Sequence, residues 1–167
     1  DVTVTFNATG TAVSGTDYTL SAGSIVILSG QTTGTITVTG TPDVFYEGNE
    51  TVIIDVASVT NGTELVAQSQ TTTIIDAEGQ PDVTLTLNNA TIAEDGGVAT
   101  FTTTLSNPSI SDVTVTFNAT GTAVSGTDYT LSAASIVILS GQTTGTITVT
   151  GTPDVFFEGN ETVIIDV

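Results

Sequence analysis

The sequence predicts an all-β protein, built as immunoglobulin-like, seven-stranded antiparallel β-sandwich repeats in a linear array. Two observations carry that expectation. Residues 1–56 recur at 112–167 with a period of 111 residues, and only two positions differ: Gly23 becomes Ala134 and Tyr46 becomes Phe157. Throughout the chain, apolar residues alternate with Thr in short runs, the pattern of strands with one buried face. A segment repeated this closely builds the same structure twice, so one whole unit can be read by joining the pieces.

Taken in the order of such a unit, the strands are expected at Val83–Leu87, Val98–Leu105 and Val113–Phe117, the last equivalent to Val2–Phe6. They continue at Ile25–Leu28, Thr35–Thr39, Thr51–Val56 and Thr71–Ile75. Each run is rich in β-branched residues, which pack well on a pleated surface. The gaps carry turn chemistry, as in Asn7–Gly10, Leu28–Gly30 and Glu94–Gly97, where Gly, Asn, Asp and Ser supply turns. No segment has a helical period. Seven strands in about 111 residues fit an immunoglobulin-like sandwich. The boundary between units is expected near Ala77–Pro81. Residues 1–79 are then the later part of one repeat, without its first strands. Residues 80–167 are the earlier part of the next, without its last strand.

Composition narrows the function classes. The chain has 18 carboxylates and no Lys, Arg or His, for a formal charge of −18. Such a surface repels nucleic acid and anionic membranes and favours cations as partners. A hydrophobic fraction of 38%, with the acids spread out, argues against a disordered acidic tail. Cys is absent, so disulfides and thiolate metal sites are excluded. No run of 18 apolar residues is present to span a membrane. An enzyme is not expected: a glycosidase-like pair of carboxylates needs one acid held protonated in an apolar cleft among sugar-binding aromatics. This chain has no Trp, and it repeats itself.

Four segments together resemble the Calx-beta domain family. They are Gly15-Thr-Asp-Tyr18, Pro42-Asp-Val-Phe-Tyr-Glu-Gly-Asn-Glu50, Ile74-Ile-Asp-Ala-Glu78 and Ile92-Ala-Glu-Asp-Gly96, and their order and spacing fit the family across the whole chain. The resemblance implies a Ca²⁺ cluster held by loop carboxylates at one end of each sandwich. Carried over position by position, the implied metal ligands of the first unit are Asp17, Asp43, Glu47, Glu50, Asp76 and Glu78. Those of the second are Glu94, Asp128, Asp154, Glu158 and Glu161. Binding members often carry consecutive Asp residues before the Phe, whereas this chain has the single Asp43 in Thr41-Pro-Asp43. The closing segment likewise reads Asp76-Ala-Glu78 and not an unbroken acidic run, and these departures imply fewer ions, weaker binding or, in the limit, none. The arrays are similar to those of very large bacterial surface adhesins, including the mobile gliding-motility adhesins of Bacteroidota.

The residues themselves point the same way. Ca²⁺ takes six to eight oxygen ligands, and gathered carboxylates without a basic neighbour repel one another until a divalent ion joins them. The acids taken singly read equally as solvated loop residues. Asp76 and Glu78 close one unit and Asp82 opens the next, so an ion held there would stiffen the linker. Asn-X-Thr sequons begin at Asn7, Asn49, Asn61, Asn89, Asn118 and Asn160. Tyr18, Tyr129 and the pairs Phe45–Tyr46 and Phe156–Phe157 are expected to pack in the core beside the acidic loops.

The function expected is therefore a structural stalk or filament segment of a repetitive extracellular cell-surface adhesin, its domains and junctions rigidified by Ca²⁺. Its partners are neighbouring repeats of the same chain, with surface glycans or other cells beyond them. The alternative is a self-assembling extracellular fibre subunit whose copies complete one another by strand complementation.

Overall fold

The computed structural model describes all residues from Asp1 to Val167. The chain is all-β, with antiparallel sheets and no helix. It divides into two compact units, Asp1–Gly79 and Gln80–Val167.

The first unit holds β1 (Val2–Gly10), β2 (Tyr18–Leu20), β3 (Ser24–Ile27), β4 (Val38–Gly40), β5 (Glu50–Thr60) and β6 (Ser69–Ile74). One sheet runs in the order β3-β1-β5-β6, and β2 pairs with β4 in a second, two-stranded ribbon. The register between β1 and β5 shifts between Thr5 and Phe6, a bulge. The core is small: Ala12, Tyr18 and Val52 are buried, with Ala8, Leu20, Val38, Ile54 and Ile74 packed around them. At the end of β1 the chain must be glycine. Gly10 sits at φ +126°, and a Cβ there would meet the Thr51 carbonyl oxygen at 2.1 Å.

The second unit holds β7 (Val83–Leu87), β8 (Val98–Leu105), β9 (Val113–Thr116), β10 (Asn118–Gly121), β11 (Tyr129–Leu131), β12 (Ser135–Ile138), β13 (Thr144–Gly151) and β14 (Val163–Asp166). Its main sheet runs β11-β13-β8-β7, and β12-β9 and β10-β14 form two ribbons. By repeat equivalence these ribbons match β3-β1-β5 of the first unit. The strand that bulges at Phe6 is broken in two at its counterpart Phe117. The core gathers Ala99, Phe101, Leu105, Val115, Tyr129, Ile136, Ile138, Ile147, Val149 and Ile165.

Every expected strand region contains a strand, but the seven-strand pattern is too coarse. The three-residue strands β2 and β11, Tyr18–Leu20 and Tyr129–Leu131, were not anticipated, because so short a run shows no alternation to read. The expected strand Thr35–Thr39 differs between copies. In the second unit it lengthens to Thr144–Gly151, whereas in the first only Val38–Gly40 is paired. The two sequences are identical, so the difference is one of partners. β13 lies between β11 and β8, while the first unit contains no counterpart of β8. A strand exists where a neighbour takes up its N–H and C=O groups.

The aromatic expectation divides in the same way. Tyr18 and Tyr129 are core residues at 2% and 5% exposure. Phe45 and Tyr46 are half-buried, but Phe156 and Phe157 stand 73% and 98% exposed, which corrects their assignment to the core. In the first unit the loop carrying Phe45 and Tyr46 lies against the segment after β6. The second unit has no β6 counterpart to cover it.

Candidate metal centre

Each acidic cluster is built on a tight loop before a short strand. In the first unit the Gly15 N–H donates to the Tyr18 carbonyl at 2.8 Å and the Asp17 N–H to that of Val13 at 2.9 Å. The Val13 N–H donates in turn to Asp17 Oδ2. These bonds fold Asp17 inward beside Tyr18, where it is only 7% exposed. The Asp17 carbonyl then accepts the Thr41 N–H at 2.8 Å, tying this loop to the Pro42–Glu50 loop that brings the other acids. The second unit repeats the arrangement. The Val124 N–H donates to Asp128 Oδ2 at 2.6 Å and the Thr152 N–H to the Asp128 carbonyl at 2.9 Å.

The loops converge. Ligand oxygens of Asp17, Glu47 and Glu50 all lie within 4.8 Å of one another, and so do those of Asp128, Glu158 and Glu161. Asp43, Asp76 and Glu78 line the same hollow in the first unit. In the second, Glu94 and Asp154 line the hollow that holds the Asp128 trio. Each residue assigned from the sequence thus faces the hollow of its own unit.

Their roles within it differ. Asp43 Oδ1 accepts the Phe45 N–H at 2.7 Å, and Asp154 Oδ1 accepts that of Phe156 at 2.6 Å, so each Asp also braces its own turn. Glu94 Oε1 accepts the Asp154 N–H at 3.2 Å, linking the turn before β8 to the same hollow. Asp76 is the most heavily bonded. Its Oδ2 accepts the N–H groups of Glu47 at 2.8 Å and Gly48 at 2.6 Å, and its Oδ1 accepts that of Glu78 at 3.0 Å. Asp76 therefore fixes the loop that presents Glu47. Asn49, which sequence reading treated only as part of a sequon, completes the tie by accepting the Asp76 N–H at 3.1 Å. The one sequence signal for it is the Gly48–Asn49 turn dipeptide beside Glu50.

The electrostatics follow from the gathering of like charges. Glu47 titrates above its ordinary value because burial disfavours its charge and Asp43, Asp17 and Asp76 add repulsion. Burial and the adjacent Asp17, to which it is hydrogen-bonded, raise Glu50 likewise. In the second unit Asp154 is the main cause of the rise at Glu158, with burial and Asp128 behind it. At Glu161 burial leads, followed by the charge and hydrogen bond of Asp128. Asp76 moves the other way: burial pushes it up, but the three N–H donors outweigh that and hold it below its ordinary value. With no Lys, Arg or His in the chain, no side-chain cation relieves these clusters.

An all-β unit whose loop carboxylates converge without a basic partner defines a class: a β-sandwich module with an oxygen-donor cluster that could hold a hard cation. The Calx-beta domain profile matches residues 1–78 and again residues 76–167, and the chain belongs to the Calx-beta domain family as two tandem matches. This is a family of non-catalytic β-sandwich domains that in general bind Ca²⁺. A search of curated proteins gives no match. The donor set fits that ion, since carboxylate oxygens in a flexible loop cluster are hard ligands suited to Ca²⁺ and not to thiophilic metals. No helix of the chain is long and apolar enough to cross a membrane.

Proposed function

We propose that this chain is a stalk or filament segment of a repetitive extracellular cell-surface adhesin, in which Ca²⁺ at each acidic hollow rigidifies the domain and its junction with the next. On this reading the array is of the kind found in very large bacterial surface adhesins, among them the mobile adhesins of gliding Bacteroidota. The observation that carries the reading is the duplicated trio. Asp17, Glu47 and Glu50 recur one period later as Asp128, Glu158 and Glu161, again within 4.8 Å of one another. An enzyme needs one site, whereas a spacer gains reach with each added copy. The chain is on this reading non-enzymatic, its direct partners are neighbouring repeats, and glycans or other cells are reached by the assembly as a whole.

In this role Asp17, Glu47 and Glu50 hold the ion, with Asp43 and Glu78 at its margin and Asp76 setting the loop. Asp128, Glu158, Glu161, Asp154 and Glu94 do the same in the second unit. The units share four acids, to which the first adds Asp76 and Glu78 and the second adds Glu94. A repeat with every strand would combine both additions. Ca²⁺ titration by calorimetry, with melting before and after chelation, tests the reading. A saturable heat of binding with a higher melting temperature in Ca²⁺ supports it, and melting indifferent to both Ca²⁺ and chelator overturns it.

The alternative is a self-assembling fibre whose copies complete one another with donated strands. The mass of the intact natural polypeptide separates the two: many repeats in one chain support the stalk, and a short chain supports the fibre.

A further inference from the structure

The six Asn-X-Thr sequons all begin at exposed asparagines, yet those asparagines are placed differently. Asn49 Oδ1 accepts the Asp76 N–H at 3.1 Å, and its counterpart Asn160 lines the second hollow beside Glu161. Asn61 sits at φ +59° in the turn after β5, and its Nδ2 donates to the Asp1 carbonyl at 3.2 Å. Asn89 Nδ2 donates to the Val98 carbonyl at 3.2 Å. Asn7 and Asn118 are the same position one period apart, and of the six they alone lie within strands, β1 and β10. Their Nδ2 groups, unlike those of Asn61 and Asn89, are tied to no carbonyl. Residues i and i+2 of a strand share a face, so the sequon's amide and hydroxyl stand side by side there. Asn7 and Thr9 are both exposed, while Ala8 between them packs against the core with Ile54.

We propose that Asn7 and Asn118 are N-glycosylation sites, so that each repeat carries one glycan on the outer face of this strand. The neighbouring strand supplies a second observation. Asn7 pairs across with Asp55 and Thr9 with Ile53, and one period later Asn118 pairs with Asp166 and Thr120 with Ile164. Val52 and Ile54 turn into the core, so Ile53 between them turns outward. It stays partly exposed although β1 and β6 flank it on both sides. An isoleucine set among Asn, Thr and Asp on an outer face leaves apolar area in water. Asn7 is its diagonal neighbour, about 7–8 Å away in such a pairing, within reach of the first sugar. The apolar face of that pyranose ring would cover Ile53, and burial of apolar area favours the contact. In the transfer, Asn Nδ2 bonds to the anomeric carbon of a sugar activated as a diphosphate ester, nucleotide-linked or lipid-linked. The bond from that carbon to the diphosphate oxygen breaks. Diphosphate leaves with the electron pair, and one amide proton passes to a base of the transferring enzyme. Neither asparagine lies among the acids of the hollows, so the inference is independent of Ca²⁺.

Peptide mass spectrometry of the natural polypeptide, purified from its source, tests the proposal. With no Lys or Arg the chain is not cut by trypsin, but cleavage after Glu puts each sequon on its own peptide. Asn118 then lies on Asp95–Glu158, and Asn7 on the peptide that ends at Glu47. Both peptides are expected to carry a hexose or N-acetylhexosamine increment, which fragmentation places on Asn7 and Asn118. A single sugar identifies the nucleotide-linked donor, and an oligosaccharide of fixed composition the lipid-linked one. A tagged copy of the chain returned to the same source supplies the variants. Thr120→Ala is expected to lose the increment at Asn118 and to keep it at Asn7, while Thr120→Ser keeps both. Thr120 is exposed, and the retained increment at Asn7 shows that the variant has been made and processed normally. Peptides unmodified at both Asn7 and Asn118, or an increment at Asn118 that survives Thr120→Ala, overturn the proposal.

Discussion

At the scale of single residues, the acidic hollows give the metal-free chain an unusual dependence on pH. Glu47, Glu50, Glu158 and Glu161 all titrate above their ordinary 4.5. The folded state therefore holds protons more tightly than the unfolded state. That contribution to stability is fully present below pH 4.5 and is lost as pH rises through the raised values. Asp76, held below its ordinary 3.8, has the opposite sign, and its contribution is lost as pH falls through its lowered value. The metal-free protein is thus expected to melt lower at pH 7 than at pH 5, and saturating Ca²⁺ is expected to remove that difference; scanning calorimetry at both pH values checks it. Glu50→Gln removes one ligand and one repelling charge together. Without metal its melting temperature should equal or exceed that of the parent. With Ca²⁺ the first unit should lose most of its gain, which at a hundredfold excess over Kd is about 2.7 kcal/mol. That corresponds to about 10 °C or more for a unit of this size. The acids themselves were legible in the sequence. The part Asp76 plays was not, because nothing in Ile74-Ile-Asp-Ala-Glu78 shows that its carboxylate meets the N–H groups of Glu47 and Gly48 nearly thirty residues earlier.

At the scale of elements, one sequence takes two structures. Thr33–Gly40 and Thr144–Gly151 are identical, but only the second is a strand along its whole length. Alternation located both segments, and its apolar positions Ile147 and Val149 point into the core. It did not show which copy has a neighbour to pair with, because pairing is a contact with residues far away in sequence. A glycine pair isolates the effect. At Gly145 an added methyl would press on Ile136 Cγ2 at 2.7 Å and Ile138 Cγ1 at 2.9 Å beneath β8. At Gly34 it would meet the flexible end of Ile25, Cδ1 at 2.9 Å, on an open face. Gly145→Ala is expected to destabilise the second unit by about 1–3 kcal/mol, an overpacking cost. Gly34→Ala should cost the first unit clearly less, and denaturant unfolding of the two variants compares them. Equal losses would mean that the face of the first unit is covered after all.

At the scale of the whole molecule, the proposed role expects an ion in the hollow that holds Asp76 and Glu78, at the close of a repeat, to turn a flexible string into a rod. A recombinant array of several repeats should show a longer persistence length in Ca²⁺ than in chelator, as read by small-angle scattering or single-molecule imaging. No change between the two conditions would remove the stiffening role even if ions bind. The sequence by itself determined the all-β class, the 111-residue period, the approximate strands and the identity of the acids. Each of these is written in local alternation, in turn residues or in literal repetition. Only the tertiary structure decided the rest. It brought Asp17, Glu47 and Glu50 within 4.8 Å, set Asp76 to brace a loop, split one strand at Phe117, and left Phe157 in solvent while burying Tyr18. The physical reason is common to all four. A carboxylate's neighbours, a strand's partner and an aromatic's cover come from residues distant along the chain, and two copies of one sequence differ wherever those distant residues differ.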